Sequence, residues 1–268
     1  MLFCGGLVLE ELPDALAAGA DLACIDLEDA VPPGRKAEAR DAAVAAAAVA
    51  RVPAGVQLLA RVNAMGEPDG PEDLRALLAE HAFCGVMLPK VSGPDEVRIA
   101  GDMIDVARRD VDLYAIIETA EGLDRAAEIA LAHPRLAALV FGGFDLSTAL
   151  GCDMAWETLL YARSRTVHAA ALARIEALDS PYPDVQDAEG LRLNCMRARA
   201  LGMTGKAAKH SSQVAAIVEA FTPSERELER ARAIVALFRA DPTRPLVYEG
   251  KLVELPTVKR MQRMVGEG

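Results

Sequence analysis

The sequence has no cluster of basic residues, no apolar run long enough to cross a membrane and no Cys-x-x-Cys pair. Its formal net charge is −11 and it offers no basic stripe, so we expect no nucleic acid partner. The alanine-rich tract at 42–50 is typical of a helix and too short for a bilayer, so we expect no membrane partner. The start of the chain lacks the basic segment and apolar run of a signal peptide, which makes the cytoplasm the expected compartment.

Cysteine and histidine are both scarce, and this excludes several kinds of site. Five scattered cysteines suit neither a disulfide framework nor a zinc cage, so we expect reduced and mostly buried thiols. No Ser-His-Asp order and no phosphate-binding glycine loop stand out. Of the four histidines, only His210 follows a predicted strand at the rim, and it stays a candidate site residue.

Short apolar runs alternate with helical patterns along all 268 residues, which is typical of βαβ units on a parallel sheet. Eight such units in a chain slightly longer than the roughly 250 residues of a (β/α)8 barrel favour a closed barrel over an open doubly wound sheet. We predict an α/β fold, with a (β/α)8 TIM barrel over residues 1–222 as the catalytic domain and extra helices over 223–268 as a lid. The predicted strands are Leu2–Phe3, Leu22–Leu27, Val56–Arg61, Gly85–Leu88, Leu113–Glu118, Ala138–Phe141, Ile175–Leu178 and Met203–Lys206.

The predicted helices fill the spaces between these strands and follow the last one. They are Glu11–Ala18, Arg35–Ala50, Pro71–Glu80, Pro94–Arg108, Gly122–Ala132, Met154–Ala173, Asp187–Ala200, Gln213–Phe221, Ser224–Arg239 and Thr257–Met264. A loop rich in proline and glycine is expected between the last two.

Polar side chains fall at the carboxyl ends of the predicted strands, where the loops of a barrel form its site. Any one of them could be a solvated loop residue. Their occurrence at the carboxyl ends of so many strands nevertheless predicts a functional site at this end of the barrel. In chain order they are Asp26, Glu28 and Asp29; Arg61 and Asn63; Lys90; Glu118; Asp145; Asp179; and Lys206.

Glu118 and Asp145 end neighbouring strands and form the predicted metal site. A shielded carboxylate such as Glu118 needs a cation, which is either a metal or a salt-bridge partner, Arg61 or Lys90. Asp145 could instead cap a helix near Leu146. Two carboxylates without histidine or cysteine suit a hard cation, so we predict Mg²⁺, with Mn²⁺ as a possible substitute.

Arg61 and Lys90 are the predicted cations of the site. The Arg61 guanidinium can grip a substrate carboxylate or a developing oxyanion, which makes it a catalytic and substrate-binding candidate. Lys90 could supply a second positive charge to the substrate. Either could instead form a purely structural ion pair with a neighbouring carboxylate.

Two further pairs of residues complete the predicted site. Glu28 and Asp29 could bind the metal's waters, or could pair with Arg35 or Lys36. Gly142 and Gly143 let the backbone approach a ligand closely, and their N–H groups could hold the substrate.

The ordered set of motifs in this chain resembles the citrate lyase β-subunit family of the HpcH/HpaI aldolase superfamily, which includes malyl-CoA and citramalyl-CoA lyases. The resemblance covers nearly the whole chain. Its segments are Asp26-Leu-Glu-Asp-Ala-Val, Arg61-Val-Asn, Leu88-Pro-Lys-Val, Ile117-Glu-Thr-Ala-Glu-Gly-Leu, Val140-Phe-Gly-Gly-Phe-Asp-Leu, Asp187-Ala-Glu-Gly-Leu, Gly202-Met-Thr-Gly-Lys and Phe221-Thr-Pro-Ser.

This resemblance implies a metal-dependent lyase that breaks or forms a carbon–carbon bond in a 3-hydroxy-3-carboxyacyl-CoA thioester, with a 2-oxo acid and acetyl-CoA as products. It places Mg²⁺ on Glu118 and Asp145, with Glu118 also facing the substrate, and the substrate-binding arginine on Arg61. Some members use a lid carboxylate from a neighbouring subunit, and this implies Glu254 as the catalytic base. A homotrimer or hexamer is implied as well.

Three departures from the family pattern concern the carrier of the acyl group. No arginine follows Phe3-Cys-Gly-Gly, the segment Lys209-His-Ser-Ser-Gln replaces Ile-His-Pro-x-Gln, and Glu254 replaces an aspartate. An aldolase acting on free hydroxy-oxo acids is therefore a close alternative. A lyase that also hydrolyses the thioester, a citrate lyase β subunit active only within a complex, and a non-catalytic binding barrel are the others.

Overall fold

The computed structural model describes residues 1–243 and 245–267, and the chain divides into two compact units, Met1–Phe221 and Thr222–Gly268. The predicted lid region 223–268 includes Arg244 and Gly268, which lie outside the described residues. None of the helices in the described ranges is both long and apolar enough to cross a membrane.

Eight parallel strands of the first unit form one sheet whose order in space is their order in sequence. A parallel bridge pairs Leu2 with Ala208, and the Ala208 N–H donates to the Met1 carbonyl at 2.7 Å. This is an α/β fold of the TIM-barrel-like kind, and all eight predicted strands are confirmed to within two residues at either end. They are β1 Leu2–Gly5, β2 Leu22–Asp26, β3 Gln57–Arg61, β4 Phe83–Leu88, β5 Asp112–Ile117, β6 Leu136–Phe141, β7 Glu176–Asp179 and β8 Gly205–Lys206.

The strands are buried on both faces, as expected for a parallel sheet covered by helices. Leu59 and Ile116 belong to a small cluster on one face, together with Met87 and Tyr114. Their sequence neighbours belong to the large cluster on the other face, which includes the apolar residues of the helices. All five cysteines are free, and Cys4, Cys24 and Cys195 are buried.

The helices of the first unit follow the predictions with three differences. The segment expected as Gly122–Ala132 is two helices separated by Arg125, and Gly143–Leu150 is an additional helix. The helix expected from Met154 begins at Leu160, because Asp153 accepts the Ala155 N–H in a local turn that competes with the helix. The helices are α1 Leu12–Ala17, α2 Lys36–Val49, α3 Asp69–Ala79, α4 Pro94–Val106, α5 Ala120–Asp124, α6 Ala126–Ala130, α7 Gly143–Leu150, α8 Leu160–Ala173, α9 Ala188–Leu201 and α10 Val214–Phe221.

Within its described residues, the second unit contains two helices and a hairpin that was not predicted. Helices α11 Glu225–Ala240 and α12 Leu255–Met264 confirm the two expected after the barrel. Antiparallel strands β9 Leu246–Tyr248 and β10 Lys251–Val253 replace the expected loop. Glu249 and Gly250 both have positive φ, 48° and 73°, which is the backbone of a tight two-residue hairpin turn.

Candidate active site

A cavity of about 520 Å³ is lined by residues at the carboxyl ends of the strands in the first unit. Arg61, Glu118, Gly142, Asp145 and Asp29, all predicted from sequence, are part of its lining. The lining residues are Phe3, Asp26, Asp29, Ala30, Arg61, Ile116, Glu118, Val140, Phe141, Gly142, Phe144, Asp145, Ser180, Pro181, Ala207 and Lys209.

Glu118 follows β5 directly, and only 3% of its surface is exposed. Its Oε1 accepts the backbone N–H of Lys90 at 2.7 Å. Burial raises the pKa of Glu118 to about 8, and the negative charge of Asp145 adds to the rise, while the Lys90 N–H opposes it. Within the described residues, Arg61 pairs with Asp26 and Lys90 pairs with Glu28, and neither forms a salt bridge with Glu118. The alternative of a salt bridge to Glu118 is therefore wrong.

Asp145 lies in the first turn of α7 and is half-buried. The N-cap residue of α7 is Gly142, and Asp145 makes no capping hydrogen bond, so the alternative of a cap near Leu146 is wrong. The positive end of a helix stabilises a carboxylate in its first turn. The Asp145 carboxylate is therefore available to a ligand in the cavity that Asp145 and Glu118 both line.

Gly142 has no room for a side chain. A Cβ at this position would lie 2.6 Å from Glu118 Oε2 and 2.8 Å from Ile116 Cγ2. The Gly142 N–H donates to the Ile117 carbonyl at 3.0 Å, so the prediction that this N–H holds the substrate needs correction. Gly143 begins α7, and its N–H is one of those at a helix start that have no acceptor within the helix.

Arg61 ends β3 and is held at two sides by Asp26, the last residue of β2. Its Nε donates to Asp26 Oδ1 at 2.8 Å and its Nη2 donates to Asp26 Oδ2 at 2.6 Å. The ring centroid of Phe3 lies 5.3 Å from the guanidinium carbon. Burial alone would lower the pKa of Arg61, but the hydrogen bonds and charge of Asp26 raise it instead. The guanidinium is therefore fully charged and fixed in one orientation.

Lys90 pairs with the two acids that follow β2. Its ammonium donates to Glu28 and, at 3.2 Å, to Asp29. The alternative in which Glu28 and Asp29 pair with Arg35 or Lys36 is wrong. Arg35 pairs with its helix neighbour Glu38, and Lys36 donates to the carbonyls of Leu27 and Glu28.

Glu28 Oε2 is buried and lacks a hydrogen-bond donor in the described structure, although Arg61 Nη1 lies 3.1 Å away. Burial raises the pKa of Glu28 despite the two nearby cations. An unsatisfied buried carboxylate oxygen is costly. A water on a bound metal would donate to this oxygen, which is the role predicted for Glu28.

The donor set around Glu118 and Asp145 fits a hard divalent ion. No group of three or more acidic, histidine or cysteine side chains within the described ranges could enclose a metal. Mg²⁺ needs no such enclosure, because it binds through one or two carboxylates and keeps waters or substrate oxygens. The buried Glu118 carboxylate, whose charge Asp145 opposes, gains most from such a cation.

A buried ionic network at the ends of β7 and β8 was not predicted as a unit. Lys206 donates to Asp179 at 2.6 Å and to Asn194 at 2.7 Å, and Arg163 donates to the other Asp179 oxygen at 2.9 Å. The Arg163 guanidinium carbon lies 4.7 Å from the ring centroid of Trp156. Opposite charges at the exits of neighbouring strands were the available signal in the sequence.

His210 and Glu254 are two more predicted residues, one in each unit. His210 is the N-cap residue of the short turn Ser211–Gln213, and its ring contacts Ser212 Oγ at 2.9 Å. Glu254 belongs to the second unit, where it is the exposed N-cap residue of α12 and its side chain makes no capping hydrogen bond.

One solved structure shares the architecture of this chain. CitE from Mycobacterium tuberculosis, in complex with magnesium, acetoacetate and coenzyme A, superposes with a TM-score of 0.81 at 31% identity. The match covers 99% of this chain and 96% of that one.

Two relatives of known activity extend the comparison. The L-malyl-CoA/β-methylmalyl-CoA lyase of Cereibacter sphaeroides is 31% identical over 93% of this chain and 87% of its own length. The mitochondrial citramalyl-CoA lyase of Homo sapiens is 30% identical over 91% of this chain and 78% of its own. The sequence profile of one family also matches residues 1–211. The chain belongs to the HpcH/HpaI aldolase/citrate lyase family.

Proposed function

We propose that this chain is a Mg²⁺-dependent carbon–carbon lyase. Its substrate would be a 3-hydroxy-3-carboxyacyl-CoA thioester of the malyl, citramalyl or citryl type, cleaved to acetyl-CoA and a 2-oxo acid or formed from them. The observation that carries the proposal is that Arg61, Glu118 and Asp145 line one cavity at the carboxyl ends of β3, β5 and β6. The activities of the malyl-CoA and citramalyl-CoA lyases support it.

In this proposal Glu118 and Asp145 hold Mg²⁺ or Mn²⁺, and Glu28 and Asp29 accept hydrogen bonds from the metal's waters. The bound ion supplies Lewis-acid polarisation of substrate oxygens. Lys90 keeps Glu28 and Asp29 in place, and its own N–H fixes Glu118. Its predicted contribution to substrate binding is thus indirect.

The backbone at the start of α7 and the Arg61 guanidinium would bind opposite ends of the acyl group. The Gly143 N–H and the positive helix end favour the substrate carboxylate. As the carbon–carbon bond breaks, its electron pair moves into the thioester, and the carbinol becomes the carbonyl of the 2-oxo acid. Arg61, fixed by Asp26, donates to the enolate oxygen, and a well-placed donor of this kind is worth roughly 3 kcal/mol.

The hydroxyl proton needs a base, and we propose Glu254 from a neighbouring copy of the chain. Glu254 is exposed and its side chain makes no capping hydrogen bond, so its carboxylate is accessible to a neighbouring copy. Residues 223–268 would then act as a lid on the barrel of another copy in a cytoplasmic trimer or hexamer. Protonation of the enolate carbon would complete acetyl-CoA.

The test is a pair of metal-site variants, Glu118→Gln and Asp145→Asn, assayed for cleavage of malyl-CoA and citramalyl-CoA. Each should abolish Mg²⁺ binding in calorimetry and reduce turnover by a factor of about 10³ or more, because the ion loses one of two protein ligands. Asp41→Asn, an exposed change on α2, is the matched control. Undiminished turnover without metal would contradict the proposal.

An aldolase acting on free hydroxy-oxo acids is the second candidate, and one observation favours it. Around the exit of β1 the cavity is lined by Phe3 and Ala30, and the arginine that the family often carries after this strand is missing. Comparing malyl-CoA and citramalyl-CoA with free 4-hydroxy-2-oxo acids separates the two. Faster cleavage of the free acids would replace the thioester assignment.

A further inference from the structure

More carboxylates than cations line the cavity. Four carboxylates face two cations, and one cation, Arg61, is already held by Asp26 on two sides. The other cation makes no ion pair within the described part of the chain. The six charged lining residues are Asp26, Asp29, Glu118, Asp145, Arg61 and Lys209.

Lys209 is placed by a short, well-connected turn after β8. Its backbone N–H donates to Gln213 Oε1 at 2.9 Å, and the same oxygen accepts the next N–H, of His210, at 3.3 Å. The ammonium nitrogen lies 5.4 Å from the centroid of the Phe144 ring. Phe144 immediately precedes Asp145 in α7, and both line the cavity.

The contact with the Phe144 ring explains how Lys209 avoids an ion pair although four carboxylates line the same cavity. A ring face attracts an ammonium by its quadrupole but leaves the N–H groups that point away from it free. Those donors are available to an anion entering the cavity. Because this ammonium remains exposed, the side chain is not needed for the core.

We propose that Lys209 binds a second anionic group of the substrate, beyond the carboxylate assigned to the metal and α7. The inference rests on the proposed function. Asp26 and Asp29 are already paired with Arg61 and Lys90, and Glu118 and Asp145 are assigned to the metal, so a substrate with a second anionic group needs a further cation. The metal site serves one, and Lys209 is the uncommitted cation for the other. That group is either a phosphate of the thioester carrier or a second carboxylate on the acid.

The experiment measures the condensation reaction with each of four substrate pairs. Acetyl-CoA or acetyl-N-acetylcysteamine, which has no phosphate, is combined with glyoxylate or with the dicarboxylate oxaloacetate. Wild type, Lys209→Met and Lys209→Arg are compared, and melting temperatures verify that each variant folds. Arg98→Ala is the control, since it removes one positive charge from an exposed pair with Asp95 on α4.

Lys209→Met should raise KM about tenfold or more only for substrates that carry the second anionic group, with kcat changed less than threefold. Lys209→Arg should recover most of the loss, and Arg98→Ala should change nothing. A penalty that disappears with the truncated thioester identifies a phosphate, and one that disappears with glyoxylate identifies a carboxylate. An equal penalty on all four pairs, or none on any, overturns the proposal.

Calorimetric binding of CoA and of oxaloacetate with Mg²⁺ provides a readout that does not need turnover. If wild type catalyses no condensation, the proposed function fails while the binding comparison still decides the role of Lys209. Weaker binding of either ligand to Lys209→Met, restored in Lys209→Arg, supports the assignment. Unchanged binding of both overturns it.

Discussion

Arg61 depends on Asp26 for its orientation, because its guanidinium donates two hydrogen bonds to this one carboxylate on the neighbouring strand. Asp26→Asn keeps one acceptor and loses the other along with the charge. We expect kcat to fall about 10- to 100-fold, since a small misplacement of a catalytic donor is costly. Mg²⁺ affinity, measured by calorimetry, should change far less. Asp41→Asn is the control, and a kcat equal to wild type would show that Arg61 needs no such partner.

Gly142 is the residue whose side chain would intrude on the metal site. Gly142→Ala should displace Glu118, because the new Cβ meets Glu118 Oε2 at 2.6 Å. We expect kcat/KM to drop by a factor of about 10² or more, with a parallel loss of Mg²⁺ affinity. Gly66→Ala is the matched control, since a Cβ there has no heavy atom within 4 Å. Equal activity of the two variants would contradict this account.

The sequence was sufficient to place Glu118 and Asp145 at strand exits but not to find what holds Arg61. A carboxylate directly after an apolar run must emerge at the end of a buried strand, so its position follows from local pattern. The pairing of Arg61 with Asp26 depends on the register that sets these two residues opposite each other on β2 and β3. Register is a property of strand pairing, and no spacing along one strand reveals it.

At the scale of elements, the network of Asp179, Lys206 and Arg163 joins β7, β8 and α8. Asp179 is fully buried, so Asp179→Asn would leave two buried cations without an anion. We expect unfolding free energy in urea to fall by about 3–5 kcal/mol. Asp95→Asn, which breaks an exposed pair with Arg98, should cost less than about 1 kcal/mol. Similar losses of unfolding free energy in Asp179→Asn and Asp95→Asn would show that burial does not strengthen the ion pairs of Asp179.

Elements with strong apolar patterns were predictable, and short ones set by local backbone contacts were not. Buried strands of four to six residues can be recognised in the sequence as apolar runs between helical segments. Helix α7 is only eight residues long and starts at two glycines, which read as a loop. The β9–β10 hairpin depends on positive φ at Glu249 and Gly250, and its three-residue strands are too short for a periodic signal.

At the scale of the whole molecule, the proposed base and the proposed metal site belong to different copies of the chain. Glu118→Gln and Glu254→Gln should each be inactive alone. After denaturation and refolding as a mixture, about a quarter of the sites would combine an intact barrel with an intact lid, and activity should return in that proportion. Rates that stay at the level of the separate variants would contradict a base shared between copies.

The single tryptophan of the chain, Trp156, stacks near the Arg163 guanidinium in the first unit. Its fluorescence emission is therefore a built-in reporter of that unit alone, because residues 222–268 contain no tryptophan. Emission and far-ultraviolet circular dichroism followed together on heating would distinguish melting of the barrel from melting of the carboxyl-terminal helices. No label or added chromophore is required.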